Sequence, residues 1–128
     1  MHLKGIHHVA IICSNYEQSK CFYTEVLPFK VIAEHYREDR QSYKLDLELN
    51  GQYSIELFSF NHAPQRLSRP EATGLRHLAF SVEDLNGWMN YLNAKGVICE
   101  PVRTDEFTGK RFTFFSDPDH LPLELYEQ

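Results

Sequence analysis

The sequence has 128 residues, 42% of them hydrophobic and 13% aromatic, which suits one folded domain, or two small halves sharing a core, and excludes a disordered chain. The formal net charge is −5, and the basic residues are scattered rather than gathered into a stripe, so nucleic acid is not an expected partner. No apolar run reaches the roughly 18 residues of a membrane span, and the N-terminal MHLKGIHHVA lacks the apolar region of a signal peptide, so a cytoplasmic protein with no membrane partner is expected.

Cys13, Cys21 and Cys99 are odd in number and widely spaced, which disfavours both a disulfide framework and a thiolate zinc site. Phosphate-binding glycine loops and the G-x-S-x-G elbow are absent.

In chain order, GIHHVAI (Gly5 to Ile11) reads as a first strand, and Ser14 with Glu17 forms a capping box for a helix carrying Tyr16, Ser19, Tyr23, Val26 and Leu27 on one face. Three strand-like runs follow, FKVIAEHY, SYKLDLEL and YSIELFSF, the last two joined by a hairpin signal at Asn50-Gly51. A polar linker with two prolines spans residues 61–73. Then the order repeats. GLRHLAF (Gly74 to Phe80) aligns without a gap on GIHHVAI, with glycine, histidine and alanine at matching positions. Asp84 is the expected N-cap of a second helix with the apolar stripe Leu85, Trp88, Met89 and Leu92, closed by Gly96. VICEPVR, KRFTFFS and PLELYE read as three more strands, with a turn at Asp117 to His120. The expected fold class is therefore α+β: one domain, 1–128, of two βαβββ modules at about 1–60 and 74–128.

Alternation along a strand puts residues two apart on one face. His8 then shares a face with Ala10, and His77 with Ala79; a small side chain beside each imidazole leaves space. Glu56 lies between Ile55 and Leu57, and Glu124 between Leu123 and Leu125, so each carboxylate stands opposite an apolar face at a matching position of the repeat. An inward carboxylate is costly unless a cation or donors satisfy it. Two neutral imidazoles and two carboxylates balance one divalent ion, so His8, Glu56, His77 and Glu124 are the candidate metal ligands, in a site between the halves. Nitrogen and oxygen donors without thiolate suit Zn, Ni, Co, Mn or Fe. The competing readings are His7 as the first-strand ligand, an arginine such as Arg76 or Arg111 as the carboxylate partner, and a closed structural zinc. Phe58 and Tyr126 share the metal-facing side by parity, while Arg103, Lys110 and Arg111 are candidates to hold an anionic substrate.

These motifs, with VLPFKV, NGQYSIELF and FFSDPDHLPLELYE, resemble the vicinal oxygen chelate superfamily of glyoxalase I, extradiol dioxygenases and bleomycin-resistance proteins along nearly the whole chain. The resemblance implies two βαβββ modules forming a curved, barrel-like mixed sheet around one metal, a small-molecule substrate and a homodimer. His8, Glu56, His77 and Glu124 fall on the ligand positions of bacterial-type glyoxalase I, which implies metal-dependent lyase or isomerase chemistry on a 2-oxo-aldehyde, hemithioacetal or α-hydroxycarbonyl compound. Glu124 is then the catalytic base, with Glu56 as its symmetric alternative. Relatives of the dioxygenase type use only two histidines and the last glutamate, and others of the fold bind small molecules without catalysis. Two departures stand out: Pro28 occupies a position where relatives have glycine, and His120 replaces the glycine of DPDG, where a positive φ is expected and an imidazole would stand near the cleft mouth. Phe58, Tyr126, Arg111 and His120 complete the expected substrate pocket.

Overall fold

Alternating runs and capped helices fold as two four-stranded mixed sheets in the computed structural model, which describes all residues, Met1–Gln128. The chain divides into two units, Met1–Pro64 and Gln65–Gln128. The fold class is α+β, but the strands collect in two open sheets and not in one closed sheet. No helix is long and apolar enough to cross a membrane.

Unit 1 contains β1 (Val9–Cys13), α1 (Tyr16–Cys21), β2 (Lys30–Arg37), β3 (Ser42–Leu49) and β4 (Gln52–Ser59), in the sheet order β1-β4-β3-β2. β1 runs parallel to β4, and the other pairs are antiparallel. Asn50 and Gly51 both take positive φ, as the hairpin between β3 and β4 requires. The helix starts one residue later than the capping box predicts. Asn15, extended at φ −125°, is the N-cap, and its side-chain oxygen accepts from the Gln18 N–H. After Cys21 the helix widens into a π turn over Phe22–Val26, in which the Leu27 N–H donates to the Phe22 carbonyl at 2.9 Å. Leu27 is buried along with Phe22 and Tyr23, while Val26 is only half-buried, and Pro28, which has no N–H, stops the helix.

Unit 2 repeats the plan with β5 (Leu78–Val82), α2 (Leu85–Ala94), β6 (Arg103–Thr104), β7 (Arg111–Ser116) and β8 (Pro122–Glu127), in the order β5-β8-β7-β6. Asp84 caps α2 by accepting from the Gly87 N–H at 2.9 Å. The other end closes as a Schellman motif, with Val97 N–H bonded to the Leu92 carbonyl and Gly96 N–H to that of Asn93. The run VICEPVR is the exception to the expected strands: only Arg103 and Thr104 pair with β7. Pro101 removes a ladder donor, and upstream of it the Glu100 N–H donates to the Phe114 carbonyl at 2.8 Å.

Each unit has its own core. Leu45, Leu47, Ile55 and Leu57 of unit 1 lie on the helix side with Tyr23 and are almost wholly buried; in unit 2 Leu123 and Leu125 of β8 lie on the side of Leu85 and Leu92 of α2, all four buried. Each such leucine stabilises its unit by about 1.5–3 kcal/mol through apolar burial. Strand alternation then sends Glu56 and Glu124 to the other face of their sheets.

Candidate functional site

Each histidine of the repeat stands one residue before its strand, His8 ahead of Val9 and His77 ahead of Leu78. The approach is shaped by Gly5 at φ 156° and Gly74 at φ 126°, each three residues upstream, in a conformation that side chains rarely adopt. The parallel register sets Ala10 opposite Glu56 and Ala79 opposite Glu124, the same pairing in both sheets. Because only a methyl group stands beside each carboxylate, the imidazole from the end of the neighbouring strand can lean over it. His8 Nε2 lies 3.4 Å from Glu56 Oε2, and His77 Nε2 lies 3.1 Å from Glu124 Oε2.

The two pairs share a plan and differ in surroundings. Glu56 Oε2 also accepts from the Tyr53 hydroxyl at 3.0 Å and lies 3.7 Å from the Lys44 ammonium. Tyr53 and Lys44 both reach Asp46 as well, at 2.6 and 2.7 Å. Burial alone would raise the Asp46 carboxyl, but the bonds from Lys44 and Tyr53 outweigh it and hold the group below its usual range. Tyr53 is pushed well above the usual phenol range, first by burial and then by donating to two carboxylates. His7 sits beside His8, with their Nδ1 atoms 2.8 Å apart, and its ring packs on Tyr53 at 5.0 Å. Glu124, by contrast, is buried against aromatic neighbours. Phe114 pairs with it across the sheet and meets the His77 ring edge-to-face at 5.1 Å. Neither glutamate is paired with an arginine: Arg76 binds Glu71 at 2.7 Å, and Arg111 binds Glu127 through two bonds of 2.6 and 2.8 Å. Each unit thus presents one His–Glu pair, His8 with Glu56 in unit 1 and His77 with Glu124 in unit 2.

A cleft of about 560 Å³ opens in unit 2 beside His77, with Arg69, Arg103, Phe114, Ser116 and His120 among its walls. His120 takes a φ of 66°, the conformation expected for the residue in place of the DPDG glycine.

A model of the glyoxalase/bleomycin resistance protein/dioxygenase superfamily matches residues 5–125, from the first repeat glycine past both His–Glu pairs. The chain belongs to that superfamily. Within the superfamily it is 66% identical over 128 residues to the YwkD protein of Bacillus subtilis (strain 168), covering 100% of both chains. The crystal structure of a glyoxalase family protein from Enterococcus faecalis is 52% identical and superimposes with a TM-score of 0.93 over 99% of this chain and 100% of the other. At 28% identity the chain also matches the metallothiol transferase FosB of Staphylococcus saprophyticus, over 97% of this chain and 77% of that protein. A 2-epi-5-epi-valiolone epimerase of an Actinomyces species is 28% identical as well, over 94% of this chain and 78% of that protein.

Of the expected pocket residues in this superfamily member, Phe58 shares the Glu56 face and is covered by the Arg37 guanidinium at 4.8 Å. Tyr126 shares the Glu124 face, stacks on Phe112, donates to Asp105 at 3.1 Å and is hydrogen-bonded to Thr108. Arg111 lies on the opposite face of β7, where Glu127 engages its guanidinium, so it does not line the cleft. Parity shows the reason, since Arg111 alternates with Phe112 and Phe114. Tyr53, Asp46, Lys44 and Arg69 are absent from the expected set. The parity that places Glu56 also places Asp46, its register partner, but the repeat holds Phe114 at the equivalent position and so carries no second signal.

Proposed function

We propose that His8, Glu56, His77 and Glu124 hold one divalent metal ion and that the protein is a metal-dependent lyase or isomerase. It would act on a small 2-oxo-aldehyde, hemithioacetal or α-hydroxycarbonyl substrate by proton transfer. The observation that carries this reading is the duplicated pair, an imidazole within 3.4 Å of a largely buried carboxylate at the same register position of each sheet. The donor set fits such an ion, since two neutral imidazoles and two carboxylates neutralise its charge and remove the cost of desolvating each glutamate alone. When bound, the ion supplies Lewis acidity that stabilises negative charge developing on adjacent substrate oxygens. Glu124 is the proton acceptor: it is buried, faces the cleft side of its sheet and has only His77 beside it as an ionisable neighbour within ion-pair distance. Glu56 is anchored by Tyr53 and Lys44 and keeps a positioning role. The superfamily includes an epimerase, and inverting a carbon centre is chemistry of the same proton-moving kind.

The test loads the protein with each of Zn, Ni, Co, Mn and Fe(II) in D₂O and adds methylglyoxal with several thiols. Turnover with deuterium entering at the carbon beside the carbonyl is expected, falling by about 100-fold or more in Glu124→Gln. Absence of turnover with every metal bound rejects the reaction class.

A second reading rests on the same asymmetry. Tyr53 and Lys44 already satisfy Glu56, which favours a set of His8, His77 and Glu124 alone, the two-histidine, one-carboxylate pattern of Fe(II) oxygenases. Oxygen uptake with a catechol after anaerobic Fe(II) loading, undiminished in Glu56→Gln, is its signature.

A further inference from the structure

The chain as a whole is acidic, yet the cleft beside His77 is not. Its walls hold Arg69, Arg76 and Arg103 against Glu71 and Glu100, one positive charge in excess, and add the imidazole of His120. The two glutamates do not cancel the arginines firmly. Arg76 and Glu71 leave 73% and 63% of their side chains exposed, and Arg103 and Glu100 leave 57% and 53%, so both pairs are solvated and contribute little. Arg69 makes no ion pair. Arg103 is nevertheless held in place, because its guanidinium lies over the rings of Phe112 at 5.1 Å and Phe114 at 5.5 Å. Phe114 is the same ring that packs on His77 at 5.1 Å, so one aromatic side chain separates the guanidinium from the imidazole of the proposed metal site. The Ser116 hydroxyl adds a donor on the same wall. The volume, about 560 Å³, suits a small organic molecule.

We propose that the substrate is an anion: that it carries a carboxylate or phosphate group, received by Arg103 and Arg69 with help from His120, while its reacting end lies toward His77 and Glu124. The inference rests on the reading of His77 and Glu124 as part of the catalytic site, but the binding of the anionic group does not depend on the metal. A planar guanidinium fixed on an aromatic stack presents parallel N–H donors to two oxygens of such a group, and the surplus charge draws anions into a cleft of an otherwise repelling molecule.

The experiment titrates the ¹⁵N-labelled full chain with malonate and, separately, with inorganic phosphate, holding ionic strength constant with sodium chloride. Expected is a saturable shift of the Arg69, Arg103 and His120 signals with at least one of the two probes, and an affinity at least tenfold lower in the double variant Arg69→Gln/Arg103→Gln, whose remaining spectrum reports that the fold is intact. Arg111→Gln, on the other face of β7 and outside the cleft, keeps the anion affinity of the parent within a factor of two. Saturation by malonate alone identifies the group as a carboxylate; saturation by phosphate alone identifies it as a phosphate. The proposal is overturned if neither probe saturates, if the double variant binds as the parent does, or if equal shifts occur at Arg37 and Arg40 in unit 1. Metal affinity, measured on the same samples by calorimetry, separates the two ideas: an intact metal site without anion binding sinks this inference alone, and anion binding without metal sinks only the catalytic reading.

Discussion

Ala10 and Ala79 matter to the site as much as the histidines two positions before them. Each faces a glutamate across a parallel pair of strands, and a longer side chain there would fill the space in which imidazole and carboxylate meet. Those four polar residues were legible in the sequence because duplication marks them twice. Lys44 and Asp46 were not, since Phe112 and Phe114 hold the corresponding places beside β8, and Tyr53 corresponds to Leu121; side chains present in only one copy leave no repeat to notice. Arg111 was misplaced for a related reason, because a basic residue near a turn shows no face until its strand partner is known. Away from the site, Glu34 illustrates how far a surface carboxylate contributes. The Lys20 ammonium at 2.7 Å, and then the Tyr16 hydroxyl, hold it below its ordinary pKa of 4.5. A depressed carboxylate stabilises the fold above 4.5 and loses that contribution as pH falls through its folded value. Urea melts of Glu34→Gln and the parent should therefore differ at pH 7, by up to about 1 kcal/mol for so exposed a group, and converge once the pH has fallen through the lowered folded value. A gap that persists in acid would show that the ionised form is not what stabilises.

At the scale of elements, both helices begin on a side-chain cap, Asn15 for α1 and Asp84 for α2. Asn15→Ala and Asp84→Ala should each cost about 1 kcal/mol, seen as a lower urea midpoint with unchanged slope. Equal midpoints for parent and variant would contradict the assignment. The second cap was readable because Asp84 stands alone before an apolar stripe. The first was not, because Ser14 and Asn15 adjoin and either can accept from the first turn. The π turn at Phe22–Val26 was equally hidden: Tyr16, Ser19, Tyr23 and Leu27 are buried as their spacing predicts, whereas Val26 is only half-buried and Phe22 is buried. Most strands were visible as period-2 runs, but VICEPVR shows the limit of that signal, since apolar residues around Pro101 give an extended chain without a ladder.

On the scale of the whole molecule, two units of one plan each present one His–Glu pair, and neither pair is a metal site by itself. The proposed metal site therefore needs both pairs. Direct proof is the binding of Co(II) to metal-free protein, followed by calorimetry and by the visible spectrum of the ion, in the parent and in His8→Ala, Glu56→Gln, His77→Ala and Glu124→Gln. One ion per chain is expected for the parent, with an affinity at least tenfold lower in every one of the four variants, whichever unit carries the change. Two independent ions per chain, or variants of one unit that bind as tightly as the parent, would contradict the shared site.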